Sequence, residues 1–318
     1  MCFGFNAPGA LRRSLEEKGV DRRSFLRGAV AAGVGVGLAG LGGSAAIAAP
    51  ASSAARAGRP VPPGLISIQL YTLRSIMRGE GVDATLASLA DYGYTKVELA
   101  GLYGRTAEAM RATLDSLGIT PSSSHDGISS DAAALETKIA NAVTLGQTHI
   151  NVPYLDSTNA DDWRRWADQM NAEAAVARDA GLKYGYHNHA HEFTTDLGNG
   201  LTPWDIFTSR LDPKLVHLEV DLYWAVTGGV GVGASDPIQF AIDTILEAPQ
   251  KVLQYHVKDK ENLTGDRNFA DLGTGIIDFA RIFRAHTPKE YIVENDQPDV
   301  TPLQTAEVGY NYLRSLRF

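Results

Sequence analysis

Cysteine is almost absent from this chain: its single copy is Cys2, at the amino-terminal edge. A disulfide framework, a thiolate metal site and a cysteine nucleophile are therefore excluded for whatever folds downstream. Clustered positive charge is missing too. Lys and Arg total 29 against 37 Asp and Glu, a net charge of −8, and basic residues never run beyond isolated pairs. Residues 60–318 alone carry 21 basic and 34 acidic side chains, a net −13. Such an acidic domain offers no footprint for a nucleic-acid backbone. A Gly-rich phosphate turn is also lacking. Gly101-Leu102-Tyr103-Gly104 has the wrong spacing, and the glycines between Gly228 and Gly233 lead into Ala234-Ser235-Asp236-Pro237, which predicts a flexible loop rather than a nucleotide site.

What is present divides into three segments. In the first, Asp21-Arg22-Arg23-Ser24-Phe25-Leu26-Arg27 precedes a mildly apolar stretch from Gly28 to Ala48, with an Ala-x-Ala option at Ala46-Ile47-Ala48. This resembles a twin-arginine export signal, which predicts delivery to the periplasm or the extracellular space. The stretch is about as long as a bilayer requires, but seven of its residues are Gly, which favours cleavage over retention and leaves no stable membrane span in the mature form. Residues 49–64 read as a small-residue and Pro-rich linker, and residues 65–318 as one folded domain.

Across that domain, strand-like and helix-like segments alternate. Strands are expected at Ile66 to Tyr71, Lys96 to Leu99, Thr120 to Ser124, Thr148 to Val152, Lys183 to His187, Val216 to Asp221, Val252 to Val257 and Tyr291 to Glu294. Amphipathic stretches lie between and after them: Ala84 to Tyr92, Thr106 to Leu117, Asp131 to Leu145, Ala160 to Ala180, Pro203 to Leu211, Pro237 to Glu247, Ile277 to Ala285 and Pro302 to Leu316. Eight such pairs in about 255 residues match an α/β fold of the (β/α)₈ TIM barrel type. A doubly wound open sheet is the alternative, and it lacks its phosphate turn.

In a parallel barrel the carboxyl ends of the strands face one mouth. That rule collects Glu98, His125, Asn151, His187 or His189, Asp221, His256 with Lys258, and Glu294. Side chains alternate along a strand, so His187 shares a face with His189, and His256 with Lys258. Some members have plainer explanations: Glu98 as a carboxylate at a helix start, His125 as a cap on the Asp126-Gly127 turn. His191, His217 and His286 are expected to be structural. Asp221, His256 and Glu294 resist such explanations, because buried ionisable strand ends are costly unless paired or bound to metal.

Five stretches in this order resemble the sugar phosphate isomerase/epimerase superfamily with the xylose-isomerase-like barrel. They are Val97-Glu98-Leu99, His187-Asn188-His189 with Glu192-Phe193, Leu218 to Trp224, His256-Val257-Lys258-Asp259, and Leu272-Gly273 with Gly275, Ile277-Asp278-Phe279. The resemblance implies one divalent ion (Mn²⁺, Mg²⁺, Co²⁺ or Zn²⁺) held by Asp221, His256, Glu294 and a fourth ligand from the fifth strand. His189 is the expected fourth ligand, with His187 and the loop residue Glu192 as alternatives. Glu294, His187 and Lys258 are the expected catalytic groups; Glu98, His125, Asn151, Glu192 and Trp224 are the expected substrate contacts. Ketose epimerases of the superfamily have a glutamate where His187 stands and a histidine where Trp224 stands, and the His-rich strand is closer to that of the inosose dehydratases.

The expected function is an exported isomerase or epimerase acting next to the carbonyl of a sugar or keto-sugar through an enediolate. Dehydration by β-elimination is the neighbouring alternative. A non-catalytic carbohydrate-binding barrel is a third possibility, and metal-assisted phosphodiester cleavage of the endonuclease IV kind is disfavoured by the acidic charge. Without an arginine cluster at the strand ends, the substrate is expected to be unphosphorylated. Loops Thr227 to Asp236 and Asp259 to Gly275 are long enough to cover the mouth. A homo-oligomer is left open.

Overall fold

In a computed structural model of the chain, residues 58–318 are described; the expected signal segment and most of the expected linker lie outside them. The compact unit begins at Gly58, ahead of the boundary expected at Leu65. Val61 is fully buried and the Arg59 amide donates to the carbonyl of Phe318 at 3.1 Å, so residues from the expected linker already belong to the core. Among the described residues, no helix is long and apolar enough to cross a membrane.

Seven strands lead the chain in order: β1 (Ile66–Ile68), β2 (Lys96–Leu99), β3 (Thr120–Ser124), β4 (His149–Val152), β5 (Lys183–His187), β6 (Val216–Asp221) and β7 (Val252–Val257). A small hairpin, β8 (Asp259–Lys260) and β9 (Phe269–Ala270), precedes the last barrel strand, β10 (Glu290–Val293). All barrel pairings are parallel. Six strands form a sheet in the order β1-β10-β7-β6-β5-β4, and β2 and β3 form a separate pair. Two single-residue bridges, Gln69 with Glu98 and His125 with Asn151, close the ring between these sheets.

The helices are α1 (Gly81–Tyr92), α2 (Ala107–Ser116), α3 (Ala132–Leu145), α4 (Ala160–Asp179), α5 (His191–Thr194), α6 (Pro203–Arg210), α7 (Leu222–Gly231), α8 (Pro237–Glu247), α9 (Phe279–Ala285) and α10 (Pro302–Ser315). Their starts are set locally. Thr106, Asp131, Asn159, Asp236 and Asp278 each accept an amide of the first turn, and Thr202 and Thr301 form capping boxes with Asp205 and Gln304.

Two segments depart from expectation. The first strand stops at Ile68 and turns into a short 3₁₀ segment, Leu70–Leu73, because the Gln69 side chain accepts the Tyr71 amide and ends the extended run. The glycine run expected as a loop is helical to Gly231. A Cβ at Gly228 would strike Phe193 and one at Gly231 would strike Thr194, so close packing against α5 outweighs the weak helix propensity of glycine.

The strands separate two chemically different layers. Val97, Leu99, Ile150, Val152, Leu218, Val220 and Val257 join the apolar core under the helices. The alternate positions, such as Glu98, Asn151, Glu219, Gln254 and Glu290, are buried and joined by hydrogen bonds inside the barrel. Gly185 leaves room there, since a Cβ would collide with Asn151 and His217.

Candidate metal centre

Four strand ends meet beside a mouth cavity of ≈ 1020 Å³, which two of them, His187 and Glu294, line. His187 closes β5, Asp221 closes β6, His256 lies near the end of β7, and Glu294 directly follows β10. One donor atom from each lies within 4.8 Å of the other three. Register explains the convergence: β6 and β7 place Asp221 opposite His256, and β10 places Ile292 opposite His256, so Glu294 falls two residues further toward the mouth.

The orientation of each ligand is fixed from behind. His187 Nδ1–H donates to the Pro153 carbonyl at 3.0 Å, so its Nε2 faces Asp221 Oδ2 at 3.3 Å. His256 Nε2 lies 2.7 Å from Glu98 Oε1 and 3.2 Å from Glu219 Oε1, while its Nδ1 lies 2.8 Å from Glu294 Oε2. Asp221 Oδ1 accepts the Trp224 amide at 2.9 Å as the cap of α7, leaving Oδ2 for the cluster. Lys258 Nζ stands 3.0 Å from Asp221 Oδ2, 2.7 Å from Glu294 Oε2 and 2.9 Å from Asp296 Oδ1.

The electrostatics follow from burial among opposite charges. Burial pulls the Lys258 pKa down, but Asp221, Asp296 and Glu294 outweigh it and hold it well above the ordinary lysine value. Burial opposes ionisation of Glu294 and Asp221, yet Lys258 first, then the neighbouring imidazoles, hold both below their usual range. His256 is likewise lifted well above the ordinary value, Glu219, Glu294 and Glu98 overcoming its burial. This is a pocket built for positive charge.

Two nitrogen and two carboxylate donors fit a divalent transition-metal ion. Each imidazole is anchored through one nitrogen and presents the other, as outer partners of a metal ligand do. An ion here would take the carboxylate oxygens now facing Lys258, whose ammonium keeps Asp296 as a partner.

The other expected site residues are distributed unevenly. His189, the expected fourth ligand, stands outside the cluster: β5 has ended, the His189 amide donates to Glu192 Oε2 at 2.9 Å, and its ring packs 5.2 Å from that of Trp224. His187 is the residue of that strand within the cluster. Glu98 and Asn151, expected to meet substrate, are fully buried beneath the mouth in the barrel network. Glu192 is fully buried as well, accepting from Tyr186 Oη at 2.6 Å, so it meets neither substrate nor the cluster. His125, Trp224, Lys258 and Glu294 line the cavity. His189 Nδ1 and Trp224 Nε1 are buried without hydrogen-bond partners.

Glu219 and Asp296 enter the site without having been expected there. Glu219 sits two residues before Asp221, on the same strand face, and that spacing was the available signal. Loops bring Arg74 and Arg267 to the cavity wall, beyond the reach of a rule about strand ends. Arg74 is already engaged, donating to the carbonyls of Tyr71 and Asp296 and stacking 3.9 Å over the Tyr71 ring. Gly265, Asp266 and Arg267, from the β8–β9 hairpin, overhang the mouth, and Tyr223 Oη fixes that turn by donating to the Asp266 carbonyl at 2.8 Å.

Comparison with known proteins points one way. The family model described as xylose isomerase-like TIM barrel matches residues 86–311. Inosose dehydratase of Geobacillus kaustophilus (strain HTA426) is 26% identical over 283 residues, covering 74% of this chain and 87% of that protein. A sugar phosphate isomerase/epimerase from Parabacteroides distasonis ATCC 8503 superposes with a TM-score of 0.65 at 23% identity, over 80% of this chain and 95% of the other. The IolI protein with a binding zinc atom gives a TM-score of 0.57 at 14% identity, over 78% of this chain and 98% of the other. At those identities the two structures show a shared fold alone.

Proposed function

The chain belongs to the xylose isomerase-like TIM barrel family, and on that premise we propose that it is a metal-dependent enzyme acting next to the carbonyl of a sugar or keto-sugar, by isomerisation or epimerisation. The observation that carries this reading is the convergence of His187, Asp221, His256 and Glu294 beside a cavity that His187 and Glu294 line. A divalent ion held by these four would polarise a carbonyl and offset the negative charge left when the neighbouring C–H is broken. The zinc of the IolI structure supports an ion of this kind.

The protein's own groups supply the rest. Glu294, held ionised beside Lys258, faces the cavity as the proton acceptor. Lys258 is a fixed positive charge beside the developing enediolate oxygen. Its ammonium lies 5.5 Å from the centre of the Trp224 ring, so Trp224 is less a stacking platform than a wall of the cavity. With Arg74 engaged by two carbonyls, Arg267 is the other arginine among the lining residues, and a single guanidinium on the wall supports an unphosphorylated sugar or glycoside. Export by the twin-arginine route remains part of the proposal and agrees with that substrate class.

A second reading, elimination of water from a keto-sugar, is favoured by one feature. The member of the cluster from β5 is His187, where the ketose epimerases have a glutamate, and inosose dehydratase is among the relatives. The test is proton NMR of keto-sugars incubated with the metal-loaded chain in D₂O. Deuterium at the carbon next to the carbonyl, with the carbon skeleton retained, is expected for isomerisation, and a dehydrated product for elimination. No exchange with any keto-sugar would overturn both.

A further inference from the structure

Below the proposed centre lies a second convergence of donors, of which only His256 belongs to that centre. Glu98 of β2, His125 just beyond β3, Glu219 of β6 and His256 of β7 bring four ligand atoms together around one point. Glu98 Oε1 is 2.7 Å from His256 Nε2 and 3.1 Å from His125 Nε2. Glu219 Oε1 is 2.8 Å from His125 Nε2 and 3.2 Å from His256 Nε2. Nitrogen and oxygen alternate around this ring. A tetrahedron with metal–ligand bonds of about 2.0–2.1 Å has edges of about 3.3 Å, so a slight outward relaxation of each side chain would admit an ion.

We propose that Glu98, His125, Glu219 and His256 form an inner, closed site for a divalent transition-metal ion such as Zn²⁺ or Co²⁺. Its surroundings are those of a built site. The outward oxygens of the two carboxylates are held by neutral donors: Asn151 Nδ2 donates to Glu219 Oε2 at 2.6 Å, and Ser123 Oγ donates to Glu98 Oε2 at 2.5 Å, while Gln69 Nε2 donates at 2.7 Å to the ligating oxygen Glu98 Oε1 itself. Among the described residues, no lysine or arginine pairs with either carboxylate, although both are fully buried. Their charge is therefore met only by the two imidazoles, and a dication offers the same compensation through four bonds. With all four positions taken by protein, the ion would be structural.

Its position gives it a task. The β2–β3 pair joins the six-stranded sheet by single-residue bridges rather than by continuous strand ladders, and this site takes two ligands from the β2–β3 side and two from β6 and β7. An ion there would tie the two sheets together across the barrel. Entry is past His125, which lines the cavity.

The proposal shares only His256 with the outer centre, through opposite ring nitrogens, Nδ1 toward Glu294 and Nε2 toward Glu98 and Glu219; with both ions bound it would bridge them as an imidazolate, releasing both ring protons to solvent, and every other ligand is separate, so the two sites can be tested separately. The full chain, stripped with chelator, is titrated with Co²⁺, and bound metal is counted by elemental analysis after gel filtration, alongside the thermal midpoint. Wild type is expected to hold two ions, Asp221→Asn one, and Asp221→Asn with Glu219→Gln none; Co²⁺ should raise the midpoint of the single variant and not of the double. If wild type holds one ion that Asp221→Asn removes, the inner site is wrong and the outer centre stands. If the only ion survives Asp221→Asn and is lost with Glu219→Gln, the outer centre is wrong and the inner site stands. Retention of an ion by the double variant overturns the inner site. Should circular dichroism show Glu219→Gln unfolded, His125→Asn, at the less buried corner, decides in its place.

Discussion

The two faces of strand β6 differ more than any two loops of the molecule. Val216, Leu218 and Val220 point outward into the apolar layer under the helices; His217, Glu219 and Asp221 point inward to a hydrogen-bonded interior. Barrel strands are usually apolar on both faces, because helices cover one side and packed side chains fill the other. Here the inner face is polar from floor to mouth, and each carboxylate there must find a partner or remain a cost. Outer residues therefore carry stability, whereas inner residues carry charge placement and chemistry.

That contrast is broken or upheld first by a pair of substitutions with large and separable effects. Glu294→Gln keeps the shape of an inner, cavity-lining group and removes both its basicity and one anionic ligand of the proposed centre; kcat should fall by at least about 10²–10⁴-fold on whichever keto-sugar shows exchange, with the fold retained. Leu218→Ala, on the outer face at 1% exposure, should lower unfolding free energy by about 2–5 kcal/mol while leaving KM unchanged at temperatures where the protein stays folded. Urea denaturation and steady-state kinetics on both variants are the check. Equal loss of activity in the two, at equal folded fraction, would erase the distinction between faces.

Alternation is also what made the fold legible. Val-His-Leu-Glu-Val-Asp can be read as a strand without help, and β2, β3, β5, β6 and β7 have the bounds expected for them. The rule fails where strands end. His189 is in phase with His187, but β5 is over by then, and the Glu192 carboxylate turns the chain so that His189 packs on Trp224 instead of joining the cluster. The helical glycines of α7 could not be anticipated for another reason: their conformation is decided by Phe193 and Thr194, which come from elsewhere in the chain. A rule about strand ends does not reach Glu219, because in this barrel the interior positions are polar as well.

A smaller effect sharpens the comparison through pH. Burial, first of all, depresses the His217 pKa to about 4, against an ordinary 6.5, with partial compensation from Glu219 and Gln254. The folded state thus keeps this imidazole neutral while the unfolded chain protonates below about 6.5. Stability is fully present above that pH, is lost as pH falls from about 6.5 toward 4, and levels off once both states are protonated; the whole span is worth about 3 kcal/mol. Urea midpoints at pH 7 and pH 4.5 should fall less in His217→Gln than in wild type. An identical fall in both would mean that His217 is not held neutral by the inner network.

The smallest expected effect concerns the residue that makes the inner face possible. Gly185 pairs with His217 across β5 and β6, and its missing side chain is the space into which Asn151 and His217 project. In an open strand, Gly→Ala would stabilise by restricting the unfolded chain. At Gly185 the added methyl meets two hydrogen-bonded side chains of the interior, and overpacking of this kind costs about 1–3 kcal/mol. The change should also disturb the Asn151 amide, which links Glu219, Glu98 and Gln254, so the loss should be accompanied by weaker metal retention at the inner site. Gly185→Ala with raised stability and unchanged metal content would show that the interior has room to spare, and that its polar order does not depend on close packing.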